Sequence, residues 1–381
     1  MKKLIWKPST VSWQIHLVIA IMSIIGVVIV ESFKINVKQP YYKEKVLAAR
    51  YMLKGMEILK RHRLEKVGPI NKVIDPLRSG LIGVLTTPIT STTVDIDSKL
   101  TSVNPNWAAV IVSMLKEAKV KNGSTVAVSL TGSFPAMNLA VFSAARALNL
   151  RLIIITSVSA STWGANIPGF TWLDMEDILV REGFAPYRSV AASLGGVQDK
   201  GLGMSEEGKG ILRTTIRKYD ITLLEFDDMK RSINARMDMY YDLAKETQIA
   251  AYINVGGGTV AIGSFIGKMR YRSGLNLKPS QKAMRIESVM SRFARNNIPI
   301  LNINYLKTLA QNYKVPIGPK KIPKIGQGEI YYRLEYNKQV VAAVLVSLVI
   351  FLFLFMKLGI GYRIFIPQKK TLKARPPEHM V

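Results

Sequence analysis

Cysteine is absent from the 381 residues, which excludes disulfides, thiolate zinc sites, iron–sulfur clusters and a thiol nucleophile together. Histidine is nearly absent: His16 sits in an apolar run, His62 stands alone and His379 is close to the C-terminus, so no metal site is expected. Acidic residues are scarce, with 26 Asp and Glu against 53 Lys and Arg, a formal net charge of +27. Such a field favours polyanionic partners such as anionic lipid, nucleic acid or acidic polymers. Three catalytic or nucleotide-binding motifs are missing as well: the Gly-Lys-Ser/Thr ending of a phosphate loop, the GxGxxG fingerprint and the GxSxG elbow. A Ser-His-Asp hydrolase is therefore not expected. Any catalysis would run on Asp, Glu, Lys, Ser, Thr or Tyr, and no cofactor is implied.

What is present begins with two long apolar runs. Residues 13–30, WQIHLVIAIMSIIGVVIV, extend roughly 27 Å at helical rise, a length that suggests a transmembrane helix. Lys2, Lys3 and Lys7 precede it and no small-residue cleavage pattern follows, which reads as an uncleaved signal anchor. Residues 340–356, VVAAVLVSLVIFLFLFM, carry neither charge nor proline and read as a second span. The tail 357–381 holds six Lys and Arg, so the positive-inside rule predicts that it and the tail 1–12 are cytoplasmic. The expected localisation is the cell membrane, with two spans, the central domain outside the cytoplasm and the bilayer as a partner. Residues 31–338 keep a charge of about +19.

The central domain reads as α/β, a Rossmann-like, mostly parallel sheet of one lobe or two, between two terminal transmembrane helices. Residues 41–66 suggest an amphipathic helix. A first α/β lobe spans 78–192: Leu81 to Leu85 is a candidate strand and Asn104-Pro105 opens a helix. Thr125 to Leu130, Pro135 to Leu148 and Arg151 to Thr156 then form a βαβ unit. Thr171 and Asp174 have capping-box spacing. Residues 193–210 hold six glycines and read as a mobile loop. The second lobe, 211–315, has candidate strands Ile221 to Glu225, Ile249 to Asn254 and Ile298 to Ile303, with helices over 227–247, 281–296 and 305–313. A Pro/Gly/Lys linker covers 316–338.

In parallel sheets ligands bind beyond the carboxyl ends of the strands. Those ends here are Thr131, Gly132 and Ser133, with Asn138 one turn into the following helix; Ser157, Ser159, Ser161 and Asn166; and Gly256, Gly257, Gly258 and Thr259. Hydroxyls and glycine main-chain N–H groups suit a carboxylate or phosphate. The same residues also serve plain structural ends: Thr131 and Ser133 as caps, Gly256 to Gly258 as a tight turn. Lacking a base or a metal, such a crevice is expected to bind without turnover.

The segment LTGSFPAMNLAVFSAARALNLRLIIITSVSASTWGANIPGFTWLDME, Leu130 to Glu176, together with INVGGGTVAIGS, Ile253 to Ser264, resembles the poly-γ-glutamate system protein family of bacteria. The resemblance implies an accessory component of poly-γ-glutamate (capsule polymer) synthesis or export, with the anionic polymer and membrane components of the synthase as partners. Nucleic acid is not expected as a partner. A fainter likeness, over some thirty residues, is to sugar isomerase (SIS) domains: Val128-Ser129-Leu130-Thr131-Gly132-Ser133 and Ile155-Thr156-Ser157 match that layout. It implies the alternative, an enzyme or sensor for a phosphorylated or carboxylated small ligand.

Overall fold

The structure is a computed structural model that describes residues 13–357; the charged tails 1–12 and 358–381 lie outside the described residues. The chain divides into two compact units, Gln39–Tyr331 and the two terminal segments that flank it.

The larger unit is built on one seven-stranded mixed sheet. Across the sheet the strands are Thr222–Leu223, Ser189–Ser193, Arg151–Ser157, Thr125–Thr131, Ile249–Val255, Ile300–Ile303 and Gly274–Asn276. All neighbours pair in parallel except the last, which runs antiparallel at the edge. Strands on both sides of the glycine-rich loop enter this one sheet, so a single α/β body describes it and not two lobes.

The sequence of the central strand explains its position. Every residue of Thr125–Thr131 (TVAVSLT) is buried, as a strand covered on both faces requires. Val126, Val128 and Leu130 point into one core and Ala127 into the other, the period of two that a pleat imposes. Burying each such Val or Leu contributes roughly 1.5–3 kcal/mol. The first core lies under helices Tyr42–Val67, Asn106–Glu117, Pro135–Ala147 and Trp172–Arg181. The second lies under Met229–Ala244 and Val289–Arg295, where Tyr240, Tyr252 and Phe293 pack ring to ring. Pro135 stands in the first turn of its helix, where its missing N–H costs nothing. Thr171 and Asp174 form a complete capping box on Trp172–Arg181.

Several local expectations change. Leu81 to Leu85 forms no strand; its main chain bonds instead to the loop at Trp163. The expected helix 281–296 is two short ones, Gln281–Met284 and Val289–Arg295, because the Ser288 side chain accepts from the Ser291 N–H and restarts the helix. The glycine-rich segment ends in helix Glu206–Lys218 and buries Asp199, so it is not a free surface loop throughout.

The terminal unit consists of helices Trp13–Ser32 and Lys338–Lys357 and an antiparallel strand pair, Ile35–Lys38 with Tyr332–Glu335. Here the two-span expectation is corrected. Among the described residues no helix is long and apolar enough to cross a membrane. Fourteen residues separate His16 from Glu31, about 21 Å of helix, and 17 separate Gln339 from Lys357, about 26 Å, against a hydrocarbon core of about 30 Å. Two transmembrane helices, a cell-membrane localisation and the inside–outside assignment of domain and tails are withdrawn with it.

Candidate functional site

At the carboxyl edge of the parallel strands lies a cavity of about 320 Å³. Its walls come from the ends of three adjacent strands and the turns that follow them: Thr131 and Ser133, Ser157 and Ser159, and Gly257, Gly258 and Thr259. Parallel pairing forces these turns onto one edge. Lys268, from helix Ser264–Arg270, and Asn304, beyond strand Ile300–Ile303, close the far side.

The glycine turn is shaped by what surrounds it. Gly256 has φ 86°, and a Cβ there would stand 2.6 Å from Thr131 Cγ2. At Gly257 a Cβ would fall 2.7 Å from Lys268 Nζ, so the ammonium occupies the space where a side chain would go. The main-chain N–H groups of Gly257, Gly258 and Thr259 donate to no other described residue. Gly258 caps and Thr259 opens the short helix Thr259–Ile262, whose first N–H groups have no intrahelical acceptor, and free amides attract anions. Lys268 is ion-paired to no acid among the described residues, and burial pushes its ammonium below the ordinary lysine range. Asn304 Nδ2 also lacks a hydrogen-bond partner, while its Oδ1 accepts from the Tyr305 N–H.

The two carboxylates on the cavity wall are already neutralised. Asp95 pairs with Lys307 at 2.7 Å and accepts from the Ser98 N–H. Asp199 pairs with the buried Arg236 at 2.7 Å and accepts from Ser193 Oγ at 2.6 Å. Among the described residues that line the cavity, the charge left without an ion-pair partner is therefore Lys268.

Behind Ser133 stands Lys99, 1% exposed. Its Nζ donates to the Ser133 carbonyl and to Ser161 Oγ and lies 3.9 Å from the Phe134 ring centroid. The Ser161 N–H in turn donates to Ser133 Oγ at 3.0 Å. The Ser133 hydroxyl is thus held from behind, with its own proton available to the cavity. Burial pushes Lys99 down to about 7.

Of the residues singled out in the sequence, Thr131, Ser133, Ser157, Ser159, Gly257, Gly258 and Thr259 line the cavity. Gly132 and Gly256 lie in the same turns: the Gly132 N–H donates to the Ser157 carbonyl and that of Gly256 to the Ile303 carbonyl. Asn138 is buried beneath, donating to the Thr131 carbonyl. Ser161 faces Lys99, and Asn166 is buried against Val84 and Thr90. Lys99, Asp199, Arg236, Lys268 and Asn304 were not singled out. Asp199 is hidden among glycines and Lys99 in a short polar helix, so neither carried a pattern. The glycine at 257 was the one hint of Lys268.

Fold and site define a class: an α/β protein with a hydroxyl- and amide-lined crevice at the carboxyl edge of a mostly parallel sheet. No protein-family model matches the chain, and no curated protein does. Among solved structures, the crystal structure of an archaeal alanine:glyoxylate aminotransferase aligns at 12% identity and a TM-score of 0.16, over 86% of this chain and 62% of that one. A likeness at that level carries no argument about fold or function.

Proposed function

We propose that the crevice binds a small ligand through a carboxylate or phosphate group. The observation that carries this reading is the set of three uncommitted amides at Gly257 to Thr259 beside the unpaired Lys268. Hydroxyls of Thr131, Ser133, Ser157, Ser159 and Thr259 complete the lining. Titration calorimetry with phosphate, glutamate and pyruvate tests it. A saturable heat with at least one of them is expected. Lys268→Gln should weaken that binding about tenfold or more, since a charge-assisted hydrogen bond contributes about 1.5–3 kcal/mol. Gly257→Val should do the same by evicting the ammonium. Saturable binding that both variants leave intact would place the anion elsewhere.

A second reading rests on the excess of about 19 positive charges on residues 31–338. With the resemblance of Leu130 to Glu176 and Ile253 to Ser264 to the poly-γ-glutamate system family, it makes the chain an accessory component of polymer synthesis or export, engaging the polymer or its synthase. Poly-γ-glutamate carries one carboxylate per residue, so its binding should weaken steeply with salt, whereas a crevice ligand held by amides and hydroxyls should respond weakly. Salt-insensitive polymer binding would count against a surface interaction.

A further inference from the structure

We propose that Lys268 is a nucleophilic lysine that forms an imine with a 2-oxo acid bound in the crevice. The inference rests on the anion-binding reading and names the ligand class. Its starting point is geometric. Lys268 reaches into the cavity against the main chain of Gly257, with its Nζ where a Cβ would lie 2.7 Å away. It meets no carboxylate there: Asp95 and Asp199, the acids on the same wall, are committed to Lys307 and Arg236. An ammonium whose role was structural would be expected to have an acid or a carbonyl beside it, as Lys99 has.

A ligand with adjoining carboxylate and carbonyl fits what surrounds that nitrogen. The free N–H groups of Gly257, Gly258 and Thr259 suit the carboxylate, and they adjoin the residue over which Nζ is folded. Asn304, whose buried Nδ2 has no hydrogen-bond partner among the described residues, stands on the same wall. Burial favours the neutral amine that nucleophilic attack needs. In the reaction the Nζ lone pair attacks the keto carbon, and the C–N bond forms as the C=O π pair moves to oxygen. A proton passes from nitrogen to that oxygen, giving a carbinolamine. The nitrogen lone pair then expels that hydroxyl as water, with one proton taken from solvent, and the iminium so formed returns a proton to solvent to leave the C=N bond; the Ser and Thr hydroxyls that line the cavity are placed to hydrogen-bond the departing oxygen. No electrons are gained or lost, and hydrolysis reverses the sequence.

The test uses the full chain with pyruvate or 2-oxoglutarate and sodium borohydride, which reduces an imine to a stable secondary amine. Intact mass and peptide mapping locate the adduct. One adduct per chain is expected, on Lys268 and dominant over every other lysine, lost in Lys268→Arg and suppressed by excess lactate, which has the carboxylate without the carbonyl. No adduct, or adducts spread evenly over exposed lysines, overturns the proposal. Thermal shift with lactate and with phosphate separates the two claims. A shift without an adduct sinks the imine and leaves anion binding standing; neither shift nor adduct sinks both.

Discussion

Lys99 and Glu176 are buried ionisable groups that pull stability in opposite directions with pH. Burial pushes Lys99 from 10.5 down to about 7, so between those values the unfolded chain binds a proton that the native chain does not. Stability then rises with pH across that window, by up to about 1.4 kcal/mol per unit. Burial pushes Glu176 the other way, from 4.5 up to about 7, against hydrogen bonds from the Ser189 N–H and hydroxyl. Its native carboxyl keeps a proton that the unfolded chain has lost, so its contribution is full below 4.5 and disappears as pH rises through about 7. Together they predict a stability minimum near neutral pH. Thermal melts from pH 5 to 9 should show Lys99→Met flattening the alkaline limb and Glu176→Gln the acid limb; an alkaline rise that survives in Lys99→Met removes this explanation. At the same scale, Asp199→Ala strands the Arg236 guanidinium in the interior and should cost roughly 3–5 kcal/mol in denaturant melts. Asp199→Leu combined with Arg236→Met should recover most of that loss.

Among the elements, turns decide more than strands do. A Cβ on Gly132 would press on the Val158 carbonyl and lie 3.0 Å from that of Ser159, so the 131–133 turn and the 157–159 turn meet main chain to main chain. Gly132→Ala should spread them and cost about 1–3 kcal/mol, as overpacking does, and weaken anion binding by more than Ser159→Ala. Calorimetry of both variants decides; equal losses would mean that the turns move independently. The strands and helices of this edge were readable because their residues obey the periods of sheet and helix: TVAVSL, PAMNLAVFSAARAL and RLIIIT carry a βαβ unit in their pattern alone. Ser189–Ser193 was not readable, since SVAAS has little β-branched content and pairs only because the sheet continues beside it. Leu81 to Leu85 was apolar enough for a strand, but Asn166 accepts from the Val84 N–H and donates to its carbonyl, holding the segment out of any ladder. Site residues were readable where they followed strands and invisible where a distant element delivered them, as with Lys99, Asp199 and Lys268.

On the scale of the whole unit 39–331, the sheet order makes one cooperative body. Its two central neighbours, Thr125–Thr131 and Ile249–Val255, come from opposite sides of the glycine-rich segment and pair in register from Val126 with Ala251 to Ser129 with Asn254. The segment itself supplies Asp199 to Arg236 of the second half. Cutting the chain within it therefore leaves each half with a bare strand edge that the whole unit keeps almost wholly buried. Such edges pair with other chains when exposed. Residues 39–200 made alone should aggregate, as should residues 201–331, because neither contains both sides of the 125–249 pairing. Made together they should associate, since the lost connection removes only chain entropy and leaves most of the interface intact. Co-expression followed by size-exclusion chromatography and circular dichroism measures this. A soluble, cooperatively melting fragment from either half alone would show that the sheet is two separable pieces joined at the strand pairs 125–131 with 249–255 and 189–193 with 222–223. In that case the crevice, which takes one wall from each half, would be an interface and not an interior site.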